Sequence, residues 1–183
     1  MHSYIAILRG INVSGQKKIR MEDLRELLKG CGFKNLQTYI QSGNFVFQSE
    51  MTDQKKVSSM IADAIKDKYD FDVPVILREA VDLDYVLNNN PFLSNGREKE
   101  KNRLYVTFLD EKPAQAKMEN INQEDYKPDE FQFQGREVYL YIPVGYGKTK
   151  LSNNFFENKL KVTATTRNWN TVKKLVEMSK SLK

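Results

Sequence analysis

The sequence predicts an α+β fold: two ferredoxin-like βαββαβ units packed into one compact body, with an additional C-terminal helix. Three observations predict it. Extended and helical runs follow the order β-α-β-β-α-β over the first 78 residues. The same order begins again after the breaker Asn88-Asn89-Asn90-Pro91, although the residues themselves do not repeat. The strands are apolar on both faces, so each sheet needs cover on the side its helices leave open, most simply from the other unit. The expected boundaries are a first unit over 1–78, a connecting segment with a helix over 79–102, and a second unit with the closing helix over 103–183.

Each element has a local reason. Tyr4 to Leu8 alternates as a strand, and Met21, Leu24, Leu27, Leu28 and Cys31 recur at helical spacing before Gly30 and Gly32 stop the helix. Two extended runs, Leu36 to Ile40 and Phe45 to Phe47, are joined by Gln41-Ser42-Gly43-Asn44, whose Gly and Asn suit the positive φ of a tight hairpin. Val57, Met60, Ile61, Ala64 and Ile65 form one stripe of a second helix, Val73 to Leu77 a strand, and Ala80 to Leu87 a further helix. In the second unit Leu104 to Leu109 is a strand and Pro113 opens a short helix. Phe131 to Phe133 and Val138 to Ile142 flank the turn Gln134-Gly135. A helix through Phe155, Phe156 and Leu160, a run from Val162 to Thr165, and a closing helix with Trp169, Val172, Leu175 and Val176 complete the order.

Composition narrows function. Of 183 residues, 40% are apolar and 29% charged, the profile of a globular domain able to bury a core. The start Met1-His2-Ser3-Tyr4-Ile5 lacks the form of a signal peptide, and no apolar run reaches bilayer length, so a cytoplasmic protein with no membrane partner is expected. With one cysteine, Cys31, and one histidine, His2, the inventory excludes disulfide frameworks, thiol metal clusters, histidine-based triads and clustered zinc sites; neither metal nor cofactor is expected. The net charge of +5 is unevenly placed. Residues 1–91 hold 12 basic and 12 acidic side chains, 92–135 hold 7 and 9, and 136–183 hold 10 and 3. A basic last quarter points to anionic partners.

That quarter contains Gly145-Tyr146-Gly147-Lys148-Thr149-Lys150, including the G-K-T that closes a phosphate-binding P-loop. The full motif requires a glycine at position 142, which is Ile142, and a βαββαβ order is not a P-loop fold. A weaker expectation survives. In a βαββαβ unit this loop lies at the same end as Thr165-Thr166-Arg167-Asn168-Trp169-Asn170, and each opens a helix whose N-terminus attracts anions. Lys148, Lys150, Arg167, Asn168 and Asn170 are therefore the candidate phosphate-binding residues, with Ser152 and Asn168 equally readable as plain N-caps. By the same topology, Arg9, Asn12, Gln41, Ser42 and Asn44 gather at one end of the first unit, either as ligand donors or as partners of the loop backbone. No general base or activated nucleophile accompanies them, so a catalytic residue is not assigned. Ser42 to Phe47 faintly echoes an RNA-recognition strand, but two-sided apolar strands favour core packing for Phe45 and Phe47.

The stretches Y-I-A-I-L-R-G-I-N-V (4–13), T-Y-I-Q-S-G-N-F-V-F (38–47), L-Y-I-P-V-G-Y-G-K-T-K-L-S (140–152) and T-T-R-N-W-N-T-V-K-K-L (165–175), with Asn90-Pro91-Phe92, resemble a family of short, mostly bacterial cytosolic proteins catalogued as a domain of unknown function. The resemblance covers nearly the whole chain. It implies a two-part α+β fold with ferredoxin-like units and implies no activity. The chain departs from the family pattern in carrying Ser14-Gly15 for G-G and Thr149 for Ser, so no role can require a glycine at 14, while a hydroxyl at 149 is kept. The expected function is recognition of a nucleotide, another phosphate ligand or nucleic acid. An enzyme acting on a small anionic substrate and a purely structural module are the alternatives.

Overall fold

The computed structural model describes residues 1–94, 96 and 98–182. Asn95 and Arg97 of the expected connecting segment, and Lys183, lie outside the described residues. The chain divides into two compact units, Met1–Tyr85 with Lys174–Lys183, and Val86–Lys173.

In the first unit β1 (His2–Leu8), β2 (Lys34–Tyr39), β3 (Asn44–Ser49) and β4 (Val75–Glu79) form an antiparallel sheet of order β2-β3-β1-β4, with α1 (Met21–Lys29) after β1 and α2 (Gln54–Tyr69) after β3. This is the arrangement expected of a ferredoxin-like unit. Strand alternation turns Tyr4, Ala6, Leu8, Phe45, Phe47 and Leu77 toward Leu24, Leu28, Val57, Ile61 and Ile65 of the two helices, closing one core. Each such aliphatic side chain stabilises the fold by about 1.5–3 kcal/mol on burial. Phe45 and Phe47 are fully buried, with the Phe47 ring tilted against those of Tyr4, Phe33 and Phe45, so they are core residues and not a base-stacking platform. Local chemistry sets the helix ends. The Asp53 carboxylate caps α2 by accepting from the Lys55 and Lys56 amides, and Asp70 ends the helix in the left-handed region at φ 56°.

α3 (Ala80–Asn88) follows β4 without a loop, and α4 (Pro91–Ser94) comes after it. The second sheet is built from β5 (Leu104–Leu109), β6 (Glu130–Gln134), β7 (Glu137–Tyr141) and β8 (Ala164–Asn168) in the equivalent order β6-β7-β5-β8. Here α5 (Gln115–Glu119) follows β5, and α6 (Asn153–Leu160) follows β7. Leu109, Val138, Leu140 and Ala164 pack with Leu151, Phe156 and Leu160. In both units the opposite sheet face is buried as well, by Ile5, Ile7, Val46 and Ile76 in the first and Val106, Phe108 and Tyr139 in the second. α7 (Trp169–Lys180) is the expected closing helix, with Trp169, Val172, Leu175 and Val176 buried. Among the described residues no helix is long and apolar enough to cross a membrane.

One boundary differs in a way that matters for the site. Thr166 to Asn168, expected as a loop, are β-strand: with Thr165 they pair with Tyr105 to Phe108, and α7 begins at the next residue. Two β-branched threonines suit this edge strand, and polar residues on it masked the pattern.

Candidate functional site

The two sequence motifs occupy one end of each sheet. In the second unit Leu104 lies opposite Tyr141 and Tyr105 opposite Asn168, so the loop leaving β7 and the start of α7 share the N-terminal end of β5, as the topology required. The G-K-T stretch forms a single 3-10 turn, Tyr146–Lys148, entered through Gly145 at φ 90°. Its hydroxyl is already committed: Thr149 Oγ1 donates to the buried Asp129 Oδ2 at 2.5 Å and accepts from the Leu151 amide at 3.0 Å. Ile142, where a P-loop needs glycine, is fully buried and its amide donates to the Arg103 carbonyl. The stretch is a helix-entry loop pinned by a threonine.

Two of the expected ligand residues there are committed as well. Arg167 is buried, and its Nη1 donates to Thr165 Oγ1 and to the Thr166 carbonyl, both at 2.9 Å. Asn168 is the cap of α7, its Oδ1 accepting from the Thr171 amide at 2.8 Å, and Ser152 caps α6 by accepting from the Phe155 amide. Lys148, Lys150 and Asn170 are exposed. The same sheet end carries two cations that sequence reading passed over, Lys101 and Arg103. A Cβ built on Gly145 would sit 3.3 Å from Arg103 Nη1, so the guanidinium lies against the loop. Their signal was position alone: both lie within the three residues before β5. Glu100, which accepts from the Tyr141 hydroxyl, and the Asp129 carboxylate offset part of this charge.

In the first unit the loop after β1 and the β2–β3 turn meet, because the Leu8 amide donates to the Gly43 carbonyl at 2.8 Å. Asn12 ties them together. Its Nδ2 donates to the Ile19 and Gln41 carbonyls at 2.9 and 2.7 Å, and its Oδ1 accepts from the Ile19 amide at 2.8 Å. Asn44, fully buried, donates to the Tyr39 carbonyl and to Ser42 Oγ. Arg9 is half-buried, and its amide donates to the Pro74 carbonyl. Asn12 and Asn44 thus serve the loop backbone, and Ser42 accepts from the Asn44 side chain. Gln41 instead lines a cleft of about 470 Å³ with Asn12, Lys18, Ile19, Arg20, Met21 and Glu22. Among the described residues no group of three or more His, Cys, Asp or Glu side chains could hold a metal ion.

The fold has a counterpart of known structure. The chain superposes on the conserved bacterial protein SP0830 from Streptococcus pneumoniae with a TM-score of 0.76 at 23% identity, over 97% of this chain and 98% of that one. At that identity the likeness establishes the fold alone. No curated protein matches the sequence. A family model described as "Protein of unknown function (DUF1697)" matches residues 1–139, which include the first sheet end and stop within β7, before the loop and helix start of the second, and the chain therefore belongs to that family.

Proposed function

We propose that the protein is a binding module for a phosphate-bearing polyanion, a nucleic-acid strand in preference to a free nucleotide, at the end of the second sheet that carries Lys101, Arg103, Lys148, Lys150 and Asn170. The observation that carries this reading is the charge placement: 10 basic against 3 acidic side chains over 136–183, with Lys148 and Lys150 exposed and in no ion pair among the described residues. A small phosphate would need a convergent cradle. Arg167, Thr149 and Asn168 are already engaged within the protein, and what is left is the exposed Lys101, Lys148 and Lys150 with the half-buried Arg103. Such a surface suits an extended backbone, whose binding is dominated by phosphate contacts and counterion release.

The test is fluorescence anisotropy of a labelled single-stranded oligonucleotide over a salt series. Affinity is expected to fall linearly in log–log form, with Arg103→Ala/Lys148→Ala/Lys150→Ala lowering the slope by roughly 0.7 per lost phosphate contact. An affinity indifferent to salt, or unchanged in the triple variant, would reject the reading. A mononucleotide that competes as well as the oligonucleotide would reject the preference for a strand.

A further inference from the structure

We propose that the cleft at the start of α1 is a second, separate binding site, for a small organic anion: a carboxylate or phosphate ester with an apolar body, engaged by Lys18 and Gln41. Its volume, about 470 Å³, falls in the range of small-molecule pockets.

The groups lining it separate into committed and uncommitted. The Asn12 amide makes three hydrogen bonds to backbone. Arg20 pairs with Glu22 at 3.2 Å and reaches Asp23 at 4.0 Å, one cation against two carboxylates, so it offers no free positive charge to the cleft. The Lys18 ammonium and the Gln41 amide, both exposed, have no hydrogen bond or ion pair among the described residues. One uncommitted cation and one amide donor lining the same cleft select one anionic group, and the half-buried Met21 offers apolar surface to the rest of the molecule.

The backbone around the cleft is held by its own tight turns, Tyr39 paired with Asn44 and Val13 with Gln16. Ile40, next to Gln41, is held at φ 49° although it is β-branched and 46% exposed; Asn12, Ser14 and Lys17 are left-handed too, at 54°, 51° and 44°. Residues held this way cost on the order of 1–3 kcal/mol each and persist where their surroundings over-determine them. Asn12 does this here, joining the Ile19 wall to the Gln41 wall. Hairpin closure and the Asn12 bond to its carbonyl hold the Gln41 backbone in place. Walls fixed before the ligand arrives remove an ordering cost from binding.

The experiment is a ¹⁵N chemical-shift titration of the full chain with phenyl phosphate, benzoate and inorganic phosphate. Saturable shifts are expected at the amides of Asn12, residues 18–22 and Gln41. Lys18→Ala is expected to weaken them about tenfold, the loss of one charged contact, with an unchanged melting temperature because Lys18 is exposed. A stronger response to phenyl phosphate or to benzoate identifies the anionic group. Absence of saturable shifts, or shifts unaffected by Lys18→Ala, would overturn the site. Inorganic phosphate binding as well as phenyl phosphate would overturn the apolar body. Shifts that survive in the Lys148→Ala/Lys150→Ala protein are required, and their loss there would refute a site independent of the second unit.

Discussion

Replacing Gly43 with alanine tests how the first sheet end is closed. Gly43 sits at φ 79° in the β2–β3 turn, its carbonyl accepting from the Leu8 amide. A Cβ at this position would lie 2.6 Å from Ile11 Cδ1, 2.8 Å from Leu8 Cβ and 2.9 Å from Ile11 Cγ1, all distances that real Cβ atoms do not tolerate. Two costs add. The left-handed conformation costs an L-residue about 1 kcal/mol. Forcing Ile11 and Leu8, both fully buried, out of a close-packed core costs about 1–3 kcal/mol more. Gly10 supplies the control, since at φ 77° it has nothing within 4 Å of an added Cβ and should show the conformational cost alone. In urea unfolding Gly43→Ala is thus expected to lose roughly 2–4 kcal/mol against about 1 kcal/mol for Gly10→Ala. In thermal melts that is a drop of roughly 4–16 °C for the former in a chain of this size. Equal losses in the two variants would refute the steric argument, and with it the claim that the hairpin is seated on Leu8 and Ile11.

Three further outcomes follow from committed side chains. Thr149→Val should cost roughly 2–4 kcal/mol in urea unfolding and Thr149→Ser much less, because valine strands both the Leu151 amide and the buried Asp129 carboxylate, whose Oδ1 already has no partner among the described residues. A neutral valine variant would mean the loop is not pinned there. Arg167→Lys should lower stability by about 2 kcal/mol, since an ammonium is more strongly hydrated than a guanidinium and costs more to bury beside Thr165 Oγ1 and the Thr166 carbonyl, and should leave oligonucleotide affinity of the folded fraction unchanged. A normally folding variant with weakened binding would return Arg167 to the ligand site. Lys66 donates to Asp72 at 2.7 Å, which holds that carboxyl below the usual carboxylate range and raises the lysine above its own. The Asp72 contribution is therefore complete above the ordinary carboxylate pKa and lost as pH falls through its depressed value. The Lys66 contribution is complete below the ordinary lysine pKa and lost as pH rises through its raised one. Asp72→Asn should flatten both limbs slightly in urea midpoints measured across pH, and an unchanged profile would show the pair to be absent in solution.

Apolar periodicity made most of the fold legible. Leu104 to Leu109 was bounded correctly as a strand, and the α1 and α2 stripes bury the residues expected to be inside, because burial repeats with the period of the element. The misses occur where polar residues lie on sheet edges or in turns. Ile40 was read as strand, but the chain turns there because Asn44 already pairs with Tyr39 and Gly43 must reach Leu8. For the candidate sites, sequence located the right loops and overcounted their free side chains. Residue type shows that an asparagine or threonine can bond a ligand; it does not show that Asn12, Asn44 and Thr149 spend that capacity on their own backbone or on a buried carboxylate. Lys18, Lys101 and Arg103 were passed over for the converse reason, since nothing in their own neighbourhoods marks them and only the closing of the sheet ends brings them into place.

Arg167 carries the same lesson through a repeat that residue identities conceal. β4 and β8 are edge strands of their sheets, and each has an arginine two residues before the following helix: Arg78 opposite Ile5 and Arg167 opposite Val106, with Tyr4 opposite Glu79 and Tyr105 opposite Asn168. Both guanidinium groups are buried, and each donates from Nη1 to the carbonyl of the residue before it, Leu77 or Thr166, at 2.9 Å. An edge strand leaves alternate carbonyls without a sheet partner, and a strand that passes straight into a helix has no loop with which to turn them to water. A long side chain with five donors at that register supplies the missing partner while its stem fills apolar space. The same residue type in the same register of both units, with different neighbours, marks a backbone-satisfying device of the fold. Recognition in this protein is accordingly to be sought among the polar groups that such devices leave uncommitted, Lys18 and Gln41 at one sheet end and Lys148 and Lys150 at the other.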